Sequence, residues 1–329
     1  MNIDEKSAEK IQRWNDVVPL GRTGINISVL GLGTWQWGDR FFWGYGSTQD
    51  NSDIQAAFQT SLAAGINFFD TAEVYGLGKS EKFLGRFMKT IPLPERKGLV
   101  IGSKFSPLPH RLRKGQFGGA LNGSLRRLGM NQIELYQVHW PYSARSIETW
   151  AEGLADAMKA GLIRAAGVSN YNAKQMKRAW LVLKERGYFL ASNQVAFNLL
   201  NRGVEKTGLL ALCQELGVTL IAYSPLAQGL LTGKYTPENH PKGFRSGSHH
   251  KALVEKIQPM IRMMREMGEE HGRKTPAQVA LNWTICKGAV AIPGAKNQRQ
   301  ALENAGALGW RLTPEEVAAL DRASDEVVS

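Results

Sequence analysis

The chain has 329 residues, 43% hydrophobic and 21% charged. That apolar share supports a large core and excludes bulk disorder, which goes with apolar-poor, charge-rich chains. A net charge of +12 favours anionic ligands, but no nucleic-acid recognition signature accompanies it.

Residues 1–16 read as an N-terminal extension of mixed charge. They lack the apolar stretch of a secretory signal and the Arg/Ser-rich, acid-poor composition of a transit peptide. No apolar run reaches the length of a membrane-spanning helix. Cys213 and Cys286 are too few for a disulfide framework or a four-ligand zinc site. A reducing compartment is expected, the cytoplasm, or the chloroplast stroma if a transit peptide has been removed.

The segment VVPLGRTGINISVLGLG opens the fold, with two apolar runs flanking a Gly-Arg-Thr-Gly turn, a β-hairpin signature. Its end, 27–33, reads as the first strand. Further strands are expected at 66–70, 99–104, 133–140, 163–169, 192–197, 218–224 and 289–294. Helices are expected at 51–64, 80–89, 117–129, 146–160, 172–187, 204–216 and 275–286. Gly65, Gly161 and Gly217 stand where a helix ends and a strand begins, the place for a left-handed cap. Eight strands alternating with helices over this length predict a single-domain (β/α)8 barrel spanning 1–329. Helices at 251–271 and 313–324 are extra to that repeat. Residues 225–250 read as a long loop, of the kind that closes over a ligand.

A doubly wound dinucleotide fold fits less well. After the first strand the sequence runs Gly31-Leu32-Gly33-Thr34-Trp35-Gln36, so GxGxxG fails at its last position. A P-loop fails too, since Gln228 and Tyr235 occupy required positions around Gly233-Lys234.

Barrel chemistry sits at the C-terminal strand ends. There Asp70, Lys104 and His139 close three successive strands, and Tyr75 follows Asp70 in its loop. Singly these would be a cap, a solvated lysine, a structural histidine and a packing ring. Together they make a proton-transfer group. A Lys ammonium about 4 Å from a phenol contributes about 4 kcal/mol at an effective dielectric near 20. That is about three pK units, so Lys104 is expected to draw Tyr75 towards neutrality. Asp70 would orient Lys104, and a neutral His139 would hydrogen-bond a substrate oxygen. The set suits protonation of a carbonyl without a metal, and it requires a hydride donor, hence a nicotinamide cofactor.

The stretches GINFFDTAEVYGLGKSEKFLGR, SKF, LYQVHWP, GLIRAAGVSNY, NQVAFN, IAYSPLAQGLLTGKY and IPGAKNQRQALEN resemble the aldo-keto reductase superfamily across residues 17–322. The wording of ASNQVAFN, AQGLLTGKYTPEN and IPGAKN is most similar to the plant-chloroplast and cyanobacterial, pyridoxal reductase-like branch. The resemblance implies the (β/α)8 barrel, NADPH-dependent reduction of an aldehyde or ketone, and Asp70, Tyr75, Lys104 and His139 as the catalytic tetrad. It implies Ser169, Asn170 and Gln194 on the nicotinamide carboxamide and Tyr223 stacked on its ring. Gly33, Thr34 and Trp35 would line the ribose side. Ser224, Leu226, Gly229 and Lys234 would hold the pyrophosphate, with Arg245 as a second clamp. Lys296, Gln300, Glu303 and Asn304 would surround the adenosine end. Lys296 and nearby Arg299 favour NADPH over NADH. Gly294, Ala295 and Gln300 replace the Lys-Ser pair and Arg of many relatives, which weakens that preference.

Trp35, Trp43 and Trp140 are expected to wall the substrate pocket, among a cluster that also holds Trp37, Phe41, Phe42 and Tyr45. Arg145 or His110 would select an anionic substrate. His240, His249, His250 and His271 have no ligand-spaced carboxylates or cysteines, so no metal is expected. Expected partners are a small carbonyl compound, with neither nucleic acid nor membrane. The alternative reading is a cofactor-binding regulatory subunit with little turnover.

Overall fold

The computed structural model describes residues 16–113, 115–239 and 248–328, with side chains from residue 251 in the last stretch. Two strands, β1 (Val17–Pro19) and β2 (Asn26–Ser28), form an antiparallel hairpin. The remaining eight are β3 (Leu32–Gly33), β4 (Phe68–Asp70), β5 (Val100–Phe105), β6 (Ile133–Val138), β7 (Ile163–Ser169), β8 (Leu190–Ala196), β9 (Thr219–Tyr223) and β10 (Val290–Ile292). They run parallel in sequence order. The edges meet: Gly31 N–H donates to Ala291 O at 2.8 Å, and Ala291 N–H donates to Val29 O at 3.0 Å. Bridges pair Leu30 with Ala291 and Gly33 with Gly294, closing a (β/α)8 barrel.

The hairpin stoppers the N-terminal end of the barrel. Leu20, Ile25 and Ile27 are buried against inward side chains of the strands, among them Phe68, Val100, Leu135 and Ile221. Gly21 makes this approach possible, since its φ is +57° and a Cβ there would lie 2.7 Å from Ala191 O. The helical layer packs outside on a second core that includes Phe58, Phe87, Trp150 and Trp283.

The first-strand expectation needs correction. Residues 27–33 serve two elements, because Asn26–Ser28 pairs in the hairpin and only Leu32–Gly33 joins the barrel. The chain turns between them, with Ser28 Oγ donating to Leu30 O at 2.7 Å and Ser28 N–H donating to Asn67 Oδ1 at 2.8 Å. Glycine helix ends behave as expected: Gly65, Gly161 and Gly217 have φ of 84°, 69° and 67°. The expected helix 204–216 is broken at Gly208, φ 73°, into Gly203–Lys206 and Leu209–Leu216. A helix at Gln298–Ala305, capped by Asn297, follows β10 and completes the repeat. The extra helices are Ser248–Glu270 and Pro314–Val328, packed on each other. The 225–250 stretch begins with a short 3₁₀ segment, Ala227–Thr232. Its residues 240–247 lie outside the described part. No described helix is long and apolar enough to cross a membrane.

Candidate active site

A cleft of about 810 Å³ opens at the C-terminal ends of the strands. Parallel pairing staggers those ends so that Asp70 on β4, Lys104 on β5 and His139 just past β6 converge. Tyr75 begins a 3₁₀ turn in the loop after β4. That turn passes through left-handed geometry at Gly76, Leu77 and Gly78, which folds the phenol back over Lys104.

Lys104 is fully buried, and its three ammonium protons are all assigned. It donates to Asp70 Oδ2 at 2.5 Å, to Thr71 O at 2.9 Å and to the Tyr75 hydroxyl oxygen at 3.3 Å. The Tyr75 oxygen therefore accepts, and its own hydrogen is left for the cleft. Asp70 Oδ1 accepts from Gln194 Nε2 at 2.7 Å and Gln137 Nε2 at 3.3 Å, and Ser192 Oγ donates on to Gln137 Oε1. This polar layer fills the barrel above its apolar plug. Burial would push the Lys104 ammonium down, but the Asp70 carboxylate and Tyr75 hold it above its ordinary value. It is a permanent cation.

One expectation is overturned here. Burial pushes the Tyr75 phenol above its ordinary value of 10.0, and the Lys104 charge opposes without winning. Asp70, bound to the same ammonium, adds to the upward push. Tyr75 is a protonated phenol at neutral pH. His139 moves the other way: burial, with the Lys104 charge, holds it well below its ordinary 6.5, so its ring is neutral. Its Nδ1 lies 3.1 Å from Ser106 Oγ, and its ring meets Tyr75 edge-on at 5.8 Å.

Apart from Arg245, which lies outside the described residues, every residue expected at the cofactor borders this one cleft. Several are held by one another. Asn170, at φ +63°, donates to His139 O and Ser169 Oγ and accepts from the Tyr223 hydroxyl at 2.9 Å. Ser169 Oγ donates to Gln194 O at 2.9 Å. Lys234 and Arg299 have no carboxylate partner among the described residues, while Lys296 Nζ donates to Trp43 O at 2.8 Å. Gln300 Oε1 accepts from Lys296 N–H, Thr275 Oγ1 donates to Glu303, and Asn304 Nδ2 donates to Gly294 O.

A dinucleotide fits these residues. Two cations without a carboxylate partner among the described residues, Lys234 and Arg299, border the cleft, and Ser224, Ala227, Gln228 and Gly229 all have positive φ, a geometry suited to turning backbone amides towards an anion. The buried Gln36 Oε1, also in the cleft wall, has no hydrogen-bond partner among the described residues. Gly294 leaves room for that side chain, because a Cβ there would lie 1.5 Å from Gln36 Nε2.

The opposite wall is aromatic. Trp35 stacks on Phe42 at 5.2 Å, meets Trp43 edge-on at 5.5 Å and lies 6.3 Å from Tyr75. Trp35, Trp43 and Trp140 border the cleft. Trp37 is instead fully buried with Nε1 donating to Ala295 O, Tyr45 packs on Phe83, and Phe41 is exposed. The expected anion selectors are not in place: Arg145 Nε donates to Leu112 O, and neither Arg145 nor His110 borders the cleft. His271 is bound to Glu316; His240 lies outside the described residues, as do the side chains of His249 and His250.

Sequence reading missed a group behind the site. Glu73, between Asp70 and Tyr75, accepts from Ser106 N–H at 2.6 Å and forms a two-pronged pair with Arg111. The only signal was the short separation of Glu73 from Tyr75 and of Ser106 from Lys104.

Known proteins share the family and the fold. The aldo/keto reductase family model matches residues 29–325. The chain is similar to the chloroplastic pyridoxal reductase of Arabidopsis thaliana, 41% identical over 92% of this chain and 84% of that protein. It also resembles the solved glycerol dehydrogenase of Gluconobacter oxydans, at TM-score 0.81 and 28% identity, covering 95% of this chain and 97% of that one. An aldo-keto reductase from Klebsiella pneumoniae solved with NADPH matches at TM-score 0.73 and 28% identity, over 94% and 95%. A closed barrel, a Tyr–Lys–Asp–His cluster at its mouth and a family match across nearly the whole chain lead to one assignment: this protein is an oxidoreductase of the aldo/keto reductase family.

Proposed function

We propose that the protein reduces uncharged aromatic aldehydes, of which pyridoxal is the type, to alcohols with NADPH. The observation that carries this is the Tyr75 hydroxyl. Its oxygen is fixed by Lys104 and its hydrogen is left for the cleft, beside an aromatic wall. Bound NADPH supplies the hydride. Tyr75 donates its proton to the carbonyl oxygen as charge develops there. Lys104, held by Asp70 and Thr71, stabilises the resulting phenolate. Neutral His139 orients the oxygen by a hydrogen bond. Trp35, Trp43 and Trp140 exclude water and stack on the ring.

Lys234 and Arg299 would take the cofactor phosphates. Ser169, Asn170 and Gln194 would meet the carboxamide, with Tyr223 against the ring. Lys296, Gln300, Glu303 and Asn304 would lie around the adenosine. On the aromatic side Lys296, held on the Trp43 carbonyl, is the one cation among the described residues, and rings make up the rest of the wall, which supports a neutral substrate over a phosphorylated one.

The test is NADPH oxidation with pyridoxal, 4-nitrobenzaldehyde and methylglyoxal, beside Tyr75→Phe. Turnover should fall between about a hundredfold and ten-thousandfold in the variant, the usual contribution of a positioned acid, while NADPH still binds. Equal turnover by both proteins would overturn Tyr75 as the acid. A preference for methylglyoxal over both aromatic aldehydes would overturn the substrate class.

A further inference from the structure

We propose that Ser106 is a positioning residue that fixes the tautomer of His139, and that the Glu73–Arg111 pair holds Ser106 in place to do so. This rests on the reductase reading above.

One proton decides the tautomer. Ser106 is fully buried, and its Oγ lies 3.1 Å from His139 Nδ1. No other side-chain contact of that hydroxyl is found among the described residues. Either Nδ1 carries a hydrogen and donates to Oγ, or Oγ donates to a bare Nδ1. In the first case the serine proton is buried without an acceptor, at a cost of about 1–3 kcal/mol. In the second both groups are satisfied. His139 therefore carries its hydrogen on Nε2, the nitrogen left for the cleft. That tautomer can donate to a carbonyl oxygen, whereas the other would present a lone pair to it and repel it.

The hydroxyl is useful only if it stays in place, and its backbone is pinned on both sides. Ser106 N–H donates to Glu73 Oε1 at 2.6 Å, and Ser106 O accepts from Arg111 Nη1 at 2.8 Å. Arg111 in turn grips both oxygens of Glu73. His139 N–H donates to Phe105 O at 2.8 Å, which sets the imidazole beside the next residue, Ser106. Glu73 lies two residues before Tyr75. One ion pair thus ties the loop carrying the proton donor to the residue that orients the histidine.

The experiment reads the nitrogens directly. Protein labelled with ¹⁵N-histidine is examined by long-range ¹H–¹⁵N correlation without substrate, with His139→Asn used to assign the signal. The wild type should show a bare Nδ1 and a protonated Nε2. Ser106→Ala should give a mixture of tautomers, and kcat lower by about tenfold, the size of one buried hydrogen bond, at unchanged NADPH affinity. Ser106→Thr should restore both. Arg111→Lys keeps the charge without the two-pronged grip and should shift the nitrogens in the same direction by less.

A protonated Nδ1 in the wild type would overturn the proposal without any variant. So would a Ser106→Ala protein that loses activity with its tautomer unchanged, which is what a merely structural role predicts. Unmoved nitrogens in Arg111→Lys would overturn the part assigned to Arg111. The nitrogen signals need no turnover, so they separate this proposal from the fate of the reductase reading.

Discussion

At the residue scale the site turns on two groups driven in opposite directions by burial. Tyr75 is pushed up and stays a phenol, while His139 is pushed down and stays neutral. For reduction the acid is thus in its working form through neutral and mildly basic pH. The pH profile of kcat/KM should be flat from about pH 7 to about pH 9, since it reports the essential acid before substrate binds. An inflection near neutrality would reinstate a phenol strongly acidified by Lys104. His139 also leaves a mark on stability. Its folded pKa lies below the unfolded 6.5, so between the two the unfolded chain binds a proton that the native state refuses. Stability is complete above about 6.5 and falls as pH drops towards the folded value, by up to about 1.36 kcal/mol per pH unit. Melting temperatures measured down to about pH 5.5 should decline more steeply for the wild type than for His139→Gln; parallel curves would contradict the neutral histidine. Asp70, Lys104 and His139 were legible in the sequence because they end successive strands. Ser106, Glu73 and Arg111 were not, because their bonds arise where two loops cross, and spacing along the chain does not encode that crossing.

Elements were legible where a local rule sets them. The three glycine caps mark real helix ends because left-handed backbone is inexpensive only without a Cβ. The run 27–33 misled because hairpin strand and barrel strand share one apolar pattern, and only the cross-chain bonds of Ser28 and Gly31 divide them. The helix after β10 escaped notice because it is short and mostly polar, and it is set by its Asn297 cap rather than by a long apolar stripe. The hairpin offers a test of its own. Gly21→Ala forces a Cβ against Ala191 O and strains a φ of +57°. It should destabilise the fold by about 1–2 kcal/mol, read as a fall in Tm of a few degrees. The plug lies at the opposite end of the barrel from the cleft, so kcat per folded molecule should be unchanged. A lowered kcat at full folding would mean that the plug is coupled to the polar layer above it.

Across the whole molecule the cleft has two chemical halves. Lys234 and Arg299 border one without described carboxylate partners, and uncharged aromatic rings make up the other. Lys296 spans them, its ammonium on the Trp43 carbonyl and 5.4 Å from the centre of the Trp43 ring. The chain's excess of positive charge adds a field that draws a polyanion from solution. The halves should respond differently to salt. Raising ionic strength from about 0.1 M to about 1 M shortens the Debye length from about 10 Å to about 3 Å. NADPH affinity, followed by fluorescence, should weaken severalfold over that range, while KM for an uncharged aromatic aldehyde stays within about twofold. Arg299→Ala should flatten the salt response and narrow any preference for NADPH over NADH, because it removes a cation beside the residues expected at the adenosine end. If Arg299→Ala leaves both unchanged, Arg299 does not hold the 2′-phosphate, and Lys296 is the remaining cation at the adenosine end among the described residues.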